Sequence, residues 1–274
     1  MHIPQTGLVG CGVMGSALAQ GMIKGKKLKP GSLWLYDRYE ESMVRLAKEL
    51  GARPTSDIEE LCQNCELIFL AVKPQDMAAV LGELKKHLKS RRLLVSVAAG
   101  ITTGYLEGRL PEGSKLVRLM PNTPCLIGEG AIALSPGSAV LREDIDLVKE
   151  LLEPLGVTVE VQENLMDAVT GLSGSGPAYI YLVLEAMIDG GVEAGLNREA
   201  ATRLAVQTVI GAAKMVQITG RHPAELKNAV TSPAGTTSAA LWVLEEAATR
   251  GNFIAAVVEA ARRAGEMAGE SGDD

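Results

Sequence analysis

The sequence has no uninterrupted apolar window of the about 18 residues that a membrane-spanning helix needs, so no segment is expected to cross a bilayer. Clustered lysine and arginine are missing as well. The densest basic run, Lys85–Arg92, reads as the solvated end of a helix, the net charge is −6, and a nucleic-acid partner is disfavoured. The opening residues MHIPQTGLVGCG lack the charged start, long apolar centre and cleavage site of a secretion signal. Cysteine is scarce: Cys11, Cys62, Cys65 and Cys125 do not make a disulfide framework in a chain of 274 residues. Cys62 and Cys65 form a single CxxC with no second pair or neighbouring histidine, so two buried thiols are expected there and no metal site. His2, His87 and His222 are scattered, and His222 before Pro223 is read as shaping a turn or helix start. These absences describe a reduced, cytoplasmic protein.

What is present is a folded chain, 47% hydrophobic, long enough for two domains. Up to about residue 162, apolar strand-like runs (Thr6–Gly10, Leu33–Asp37, Leu67–Val72, Leu93–Val97, Lys115–Leu119, Ala131–Leu134, Val157–Val161) alternate with helical patterns at Val13–Gly25, Glu40–Gly51, Asp76–Leu88 and Arg142–Leu155. That alternation predicts an α/β domain over residues 1–162 with a mostly parallel sheet covered on both faces. From residue 163 to 274 the strand signal stops, and Pro177–Gly195, Arg198–Thr219, Pro223–Ala229, Thr236–Arg250 and Asn252–Gly269 read as helices. Several are apolar on more than one face and must be covered. Roughly 110 residues cannot bury so much helical surface alone, so this all-helical domain is expected to pair with a second copy, giving a dimer or larger.

The segment GLVGCGVMGSALAQG places Gly10, Gly12 and Gly15 in GxGxxG spacing, with a strand before it and a helix after it. The first glycine permits the tight turn, the second lets backbone approach a pyrophosphate, and the third lets helix and strand pack closely. The helix start then offers free N–H groups and a positive dipole end to phosphate. Asp37 stands at the end of the second strand, 22 residues beyond Gly15, where a carboxylate accepts the adenosine ribose hydroxyls. The expectation is a Rossmann-type domain binding NADH or NADPH. Asp37 repels a 2′-phosphate and favours NADH, whereas Arg38 beside it could clasp that phosphate; the balance falls slightly toward NADH.

Further segments follow in a definite order: AVKP (Ala71–Pro74), SVAAG (Ser96–Gly100), RLMPNTP (Arg118–Pro124), GLSGSGPAY (Gly171–Tyr179), AAKM (Ala212–Met215) and HPAELKNAVTSPAGTTSAALWVLE (His222–Glu245). With the glycine loop, this series resembles pyrroline-5-carboxylate reductase from about Gly7 to the last helix, and its SPAGTT and GSGPAY stretches are far more distinctive than the loop. The resemblance implies hydride transfer from NAD(P)H to the C=N carbon of a cyclic imine bearing a carboxylate, giving L-proline. It also implies cofactor contacts at Val9, Gly10, Cys11, Gly12, Val13 and Met14, at Asp37, at Ala71, Val72, Lys73 and Pro74, and at Val97, Ala98 and Ala99. The substrate carboxylate would meet the loop Ser232–Thr237, including Gly235 and Thr236, with the Thr237 hydroxyl near the imine nitrogen. One departure stands out: the family usually reads SPGG where this chain reads SPAG, so Ala234 must keep a negative φ or carry strain.

The chemistry agrees with this resemblance. Hydride transfer belongs to the cofactor, and the protein need only orient, desolvate and polarise. A carboxylate wants N–H donors, and SPAGTT running into an apolar helix supplies a helix start. Ordinary helix capping by Ser232, Thr236 and Thr237 is the plain alternative. Lys73 either meets phosphate or ribose or faces solvent. Asn122 and Thr123 either line the cofactor cleft or form a rigid two-proline turn. Two competing functions share these features: a β-hydroxyacid dehydrogenase, and a non-catalytic nicotinamide-binding protein. The dehydrogenase needs a lysine a few residues into the helix after the glycine-rich stretch, and GSGPAYIYLVLEA has none.

Overall fold

A computed structural model describes residues 3–88 and 92–270; His2, residues 89–91 of the basic run and the tail beyond Glu270 lie outside the described residues. In chain order the first part runs β1 (Thr6–Val9), α1 (Val13–Lys24), β2 (Leu33–Tyr36), α2 (Glu40–Leu50), β3 (Arg53–Pro54), α3 (Ile58–Asn64), β4 (Leu67–Leu70), α4 (Pro74–His87), β5 (Leu93–Ser96), α5 (Thr103–Glu107), β6 (Lys115–Met120), β7 (Gly130–Pro136), α6 (Arg142–Leu152), β8 (Gly156–Glu160) and α7 (Met166–Val169). The strands form one sheet in the order β3-β2-β1-β4-β5-β6-β7-β8. Every pairing is parallel except β6 with β7, where Arg118 faces Ser135 across an antiparallel ladder.

Successive strand residues point to opposite faces, and the cores divide accordingly. Leu8, Leu33, Leu35, Phe69, Val95 and Val117 pack with Leu18 and Met22 of α1, Leu46 of α2 and Val148 of α6. Their neighbours Val9, Ile68, Leu70, Leu94 and Leu116 pack with Leu61 of α3, Met77 and Leu81 of α4 and Leu106 of α5. Each fully buried leucine here contributes about 2 kcal/mol of transfer free energy, which is why the strands read as unbroken apolar runs.

Local chemistry sets the element boundaries. Asp57 caps α3 by accepting the Glu59 N–H at 2.8 Å, and Thr102 caps α5 by accepting that of Tyr105 at 3.1 Å. Pro74 opens α4 at a position where no backbone donor is needed. The expected helix Arg142–Leu155 ends at Leu152 and tightens into a 3₁₀ turn over Glu153–Leu155, because Pro154 cannot donate to a continuing α-helix. β3 and α5 were not expected from the sequence; they are two and five residues long.

Met1–Ser175 with Glu259–Asp274 fall in one compact unit, and Gly176–Val258 in a second. The second part of the chain holds α8 (Gly176–Glu193), α9 (Arg198–Thr219), α10 (Pro223–Ala229), α11 (Thr236–Glu246) and α12 (Thr249–Glu270). Asn197 caps α9 by accepting the Ala200 N–H at 2.8 Å. The helix expected over Thr236–Arg250 stops at Glu246 because Ala248 turns left-handed, at φ +52°. Among the described residues of this unit only Ala201 and Ala205 are buried, while Leu182, Ile218 and Trp242 are 67%, 79% and 73% exposed. A single copy leaves these helices uncovered, in line with the all-round apolar pattern of their sequences.

Candidate active site

Strands β1, β4, β5 and β6 run parallel, so the segments that follow them gather at one edge of the sheet, where open α/β sheets hold their ligands. The glycine loop, Ala71–Pro74, Val97–Ala99 and Asn122 all lie there. Gly10 has φ +101°, and a side chain on it would come within 2.5 Å of the Ala71 carbonyl oxygen. At Gly15 a Cβ would lie 1.9 Å from the Gly10 carbonyl oxygen, so α1 sits against β1 only because that side chain is absent. A Cβ on Gly12 would meet nothing within 4 Å. Gly12 precedes the first turn of α1, and no side chain caps that turn, so its N–H groups remain available to an anion.

A cavity of about 340 Å³ opens beside this loop, lined by Val9, Gly10, Gly12, Asp37, Arg38, Ala71, Val72 and Lys73 among the residues expected for the cofactor. Asp37 Oδ2 accepts the Cys11 N–H at 2.6 Å, and Oδ1 accepts that of Tyr39 at 2.8 Å. Its carboxylate therefore ties the glycine loop to the end of β2. Cys11 turns its thiol inward, and burial, followed by the Asp37 charge, pushes that thiol up to about 12. Lys73 is exposed at the rim. Val13, Met14, Gly15, Pro74, Val97, Ala98 and Ala99 do not line this cavity, although they share its edge of the sheet or the adjoining helix starts. The glycine loop, the uncapped first turn of α1 and the Asp37 carboxylate in the cavity wall fit a dinucleotide.

Sequence reasoning missed the outer wall of this cavity. Asp76, Ala79, Val80 and Glu83 of α4 line it together, and their spacing of three and four residues is the signal that marks one helix face. Asp76 holds Arg38, whose Nη1 donates to Asp76 Oδ1 at 2.9 Å.

In the second unit, Ser232–Thr237 forms a turn closed by the Gly235 N–H donating to the Ser232 carbonyl oxygen at 3.0 Å, and runs straight into α11. A Cβ on Gly235 would lie 2.2 Å from Ser232 Oγ, so a side chain there would displace the Ser232 hydroxyl. Ala234 adopts φ +53° and carries the strain that SPAG in place of SPGG implies. No side chain caps α11. The capping role open to Ser232, Thr236 and Thr237 is unused, and the first-turn N–H groups remain available to an anion. His222 caps α10 through Nδ1, which accepts the Ala224 N–H at 3.2 Å.

Two buried polar side chains, Asn122 and Arg118, brace the exit from the sheet. Asn122, a buried side chain, donates from Nδ2 to the Ser173 carbonyl oxygen at 3.0 Å and accepts the Ala131 N–H at 2.9 Å. Arg118, with its side chain 4% exposed, donates to Glu163 Oε1 at 2.6 Å, and the Thr103 N–H reaches the same oxygen at 3.1 Å. Cys62 and Cys65 are buried and unlinked.

A family profile described as pyrroline-5-carboxylate reductase dimerisation matches residues 163–267, and one described as NADP oxidoreductase, coenzyme F420-dependent, matches residues 5–100. The pyrroline-5-carboxylate reductase of Methanosarcina acetivorans is 45% identical over 267 residues, which cover 97% of this chain and 99% of that protein. The structure of the Coxiella burnetii pyrroline-5-carboxylate reductase superposes with a TM-score of 0.92 at 34% identity, covering 97% of this chain and 99% of that one. That of the Plasmodium falciparum enzyme, with NADP bound, gives 0.87 at 35%, covering 98% and 99%.

Proposed function

The chain belongs to the pyrroline-5-carboxylate reductase family, and on that premise we propose how its residues divide the work. It is an NAD(P)H-dependent oxidoreductase that reduces 1-pyrroline-5-carboxylate to L-proline, the last step of proline biosynthesis, and it self-associates through its helical part. The near end-to-end identity with the Methanosarcina acetivorans reductase carries this conclusion over a β-hydroxyacid dehydrogenase or a non-catalytic binder. The bound nicotinamide supplies the hydride, and the rest is positioning and electrostatics.

Residues 1–162 act as the dinucleotide-binding domain and 163–274 as the substrate-binding and dimerisation domain. Gly10, Gly12 and the first turn of α1 hold the pyrophosphate, and Asp37 accepts the adenosine ribose hydroxyls, which favours NADH. Ala71–Pro74 and Val97–Ala99 border the rest of the cofactor. Ser232, Gly235 and Thr236 form the loop and helix start that meet the substrate carboxylate, with the free first-turn N–H groups of α11 as its donors. The Thr237 hydroxyl sits by the imine nitrogen, where a hydrogen bond draws electron density from the C=N carbon and makes it a better hydride acceptor. The uncapped start of α11 supports this assignment over simple capping.

Among the described residues no helix is long and apolar enough to cross a membrane, and four buried free thiols suit a reducing, cytoplasmic setting. The decisive assay follows NADH and NADPH oxidation separately, with the five-membered imine acid and with 2-keto and 3-keto acids. Turnover of the imine alone is the expected result; turnover of a keto acid without the imine would defeat the assignment.

A further inference from the structure

The adenosine end of the cavity carries an ion pair that the glycine motif does not require. Arg38 Nη1 donates to Asp76 Oδ1 at 2.9 Å, and Nη2 reaches Asp76 Oδ2 at 3.4 Å. The same Nη2 donates to the Tyr39 hydroxyl at 3.1 Å, and the guanidinium lies 4.9 Å from the Tyr39 ring centroid. Asp76 stands in the first turn of α4, where the helix dipole favours a carboxylate. Its side chain is 26% exposed against 60% for Arg38, so Asp76 is the anchored member of the pair. The Tyr39 hydrogen bond, and then Asp76, hold the Arg38 guanidinium above its ordinary value.

The two nicotinamides differ by one phosphate on the adenosine 2′ oxygen, which brings a charge of about −2 near neutral pH. Arg38 and Lys73 are outnumbered in the cavity lining by Asp37, Asp76 and Glu83. A phosphate-gripping arginine offers both arms of its fork to phosphate oxygens. Here both arms are already turned to Asp76. NADPH must either break that pair, which leaves Asp76 unneutralised beside its phosphate, or bind without the guanidinium; NADH faces neither demand.

The geometry points to Asp76 as a specificity-determining positioning residue: by holding Arg38, it withholds a guanidinium from a 2′-phosphate and shifts the reductase toward NADH. The direction of the wild-type preference rests on the NADH reading of Asp37 given above. The effect of Asp76 on that preference is a separate quantity.

The test is a set of initial-rate measurements with NADH and with NADPH on wild type, D76N, D76A, D76E, R38A and the double variant D76N/R38A. D76N and D76A should raise the ratio of kcat/KM for NADPH over NADH about tenfold, through KM for NADPH and not through kcat. D76E, which keeps the charge pair, should stay within about twofold of wild type, and D76N should move the ratio less than about twofold once Arg38 is gone. The shift should also shrink in high salt, as a structural defect would not. An unchanged ratio in both D76N and D76A overturns the proposal. An equal shift with and without Arg38 also overturns it, since Asp76 would then act by repulsion alone. A wild type that prefers NADPH would defeat the Asp37 reading and still leave the D76N and D76A arms to decide the role of Asp76.

Discussion

Asp37 and Cys11 are joined by a 2.6 Å hydrogen bond from backbone N–H to carboxylate, across the gap between the ends of β1 and β2. The acidic residue proposed to select the cofactor is therefore structural too, because the oxygens that would meet a ribose also fix the loop that would meet the pyrophosphate. Asp37→Ser should shift preference toward NADPH and, by releasing Cys11, lower kcat/KM for NADH about tenfold, the scale of a lost hydrogen bond to a charged group. Rates with both nicotinamides check this. A wild type that already prefers NADPH strongly would show that Arg38 outweighs Asp37.

Thr237→Ala should lower kcat/KM for the imine by roughly tenfold to a hundredfold, the effect of losing one hydrogen bond to a centre that gains charge. Affinity for NADH, read by fluorescence titration, should hardly change, and Thr237→Ser should restore most of the rate. Unchanged turnover in the alanine variant would remove Thr237 from the mechanism.

Ala234→Gly should stabilise the protein. The left-handed backbone at φ +53° costs alanine about 1–2 kcal/mol relative to glycine. Part of that gain is offset by the greater freedom of glycine in the unfolded chain, leaving roughly 0.5–1 kcal/mol. At fixed protein concentration Tm should rise by about 2 °C. A lowered Tm would mean that the turn does not need this conformation.

Burial raises Cys11 and Cys65 to about 12 and Cys62 to about 11, from an ordinary 9.0. Neutral thiols are thus favoured in the folded state. Their contribution to stability is fully present below pH 9 and is lost as pH rises toward 12, because the unfolded chain ionises first. Tm should be insensitive to these groups at neutral pH and fall on the alkaline side. Iodoacetamide at pH 8 should leave all three unmodified by mass spectrometry until denaturant is added, and rapid labelling of the native protein would contradict this.

Much of this was legible in the chain, for reasons that specific residues make clear. The Leu67–Leu70 strand has no polar residue because helices cover both its faces. Gly10 and Gly15 could be assigned because backbone contact leaves no room for side chains. β3 escaped notice because two residues carry no periodicity, and one of them is Pro54. The Arg38–Asp76 pair spans 38 positions, and only the parallel order of β2, β1 and β4 brings its ends together. The MPNTP segment fits either cleft lining or a turn at Asn122, and the bonds of Asn122 to Ser173 and Ala131 depend on a chain path that no local pattern encodes.

That path dictates where the gene could be divided. β8 runs with β7 and against β6, so the chain leaves the sheet at the edge opposite the glycine loop and must climb back to reach Asn122 at Ser173. A fragment ending at Val161 would leave the buried guanidinium of Arg118 without Glu163, a loss of up to about 3–5 kcal/mol. Even a cut after Ser175 would discard the stretch from Glu259 onward, where Gly265 approaches Asp167 so closely that an added Cβ would lie 3.2 Å from its Oδ2. The compact unit that carries the sheet is thus not a contiguous cassette, and transplanting it would mean carrying both ends of the reading frame.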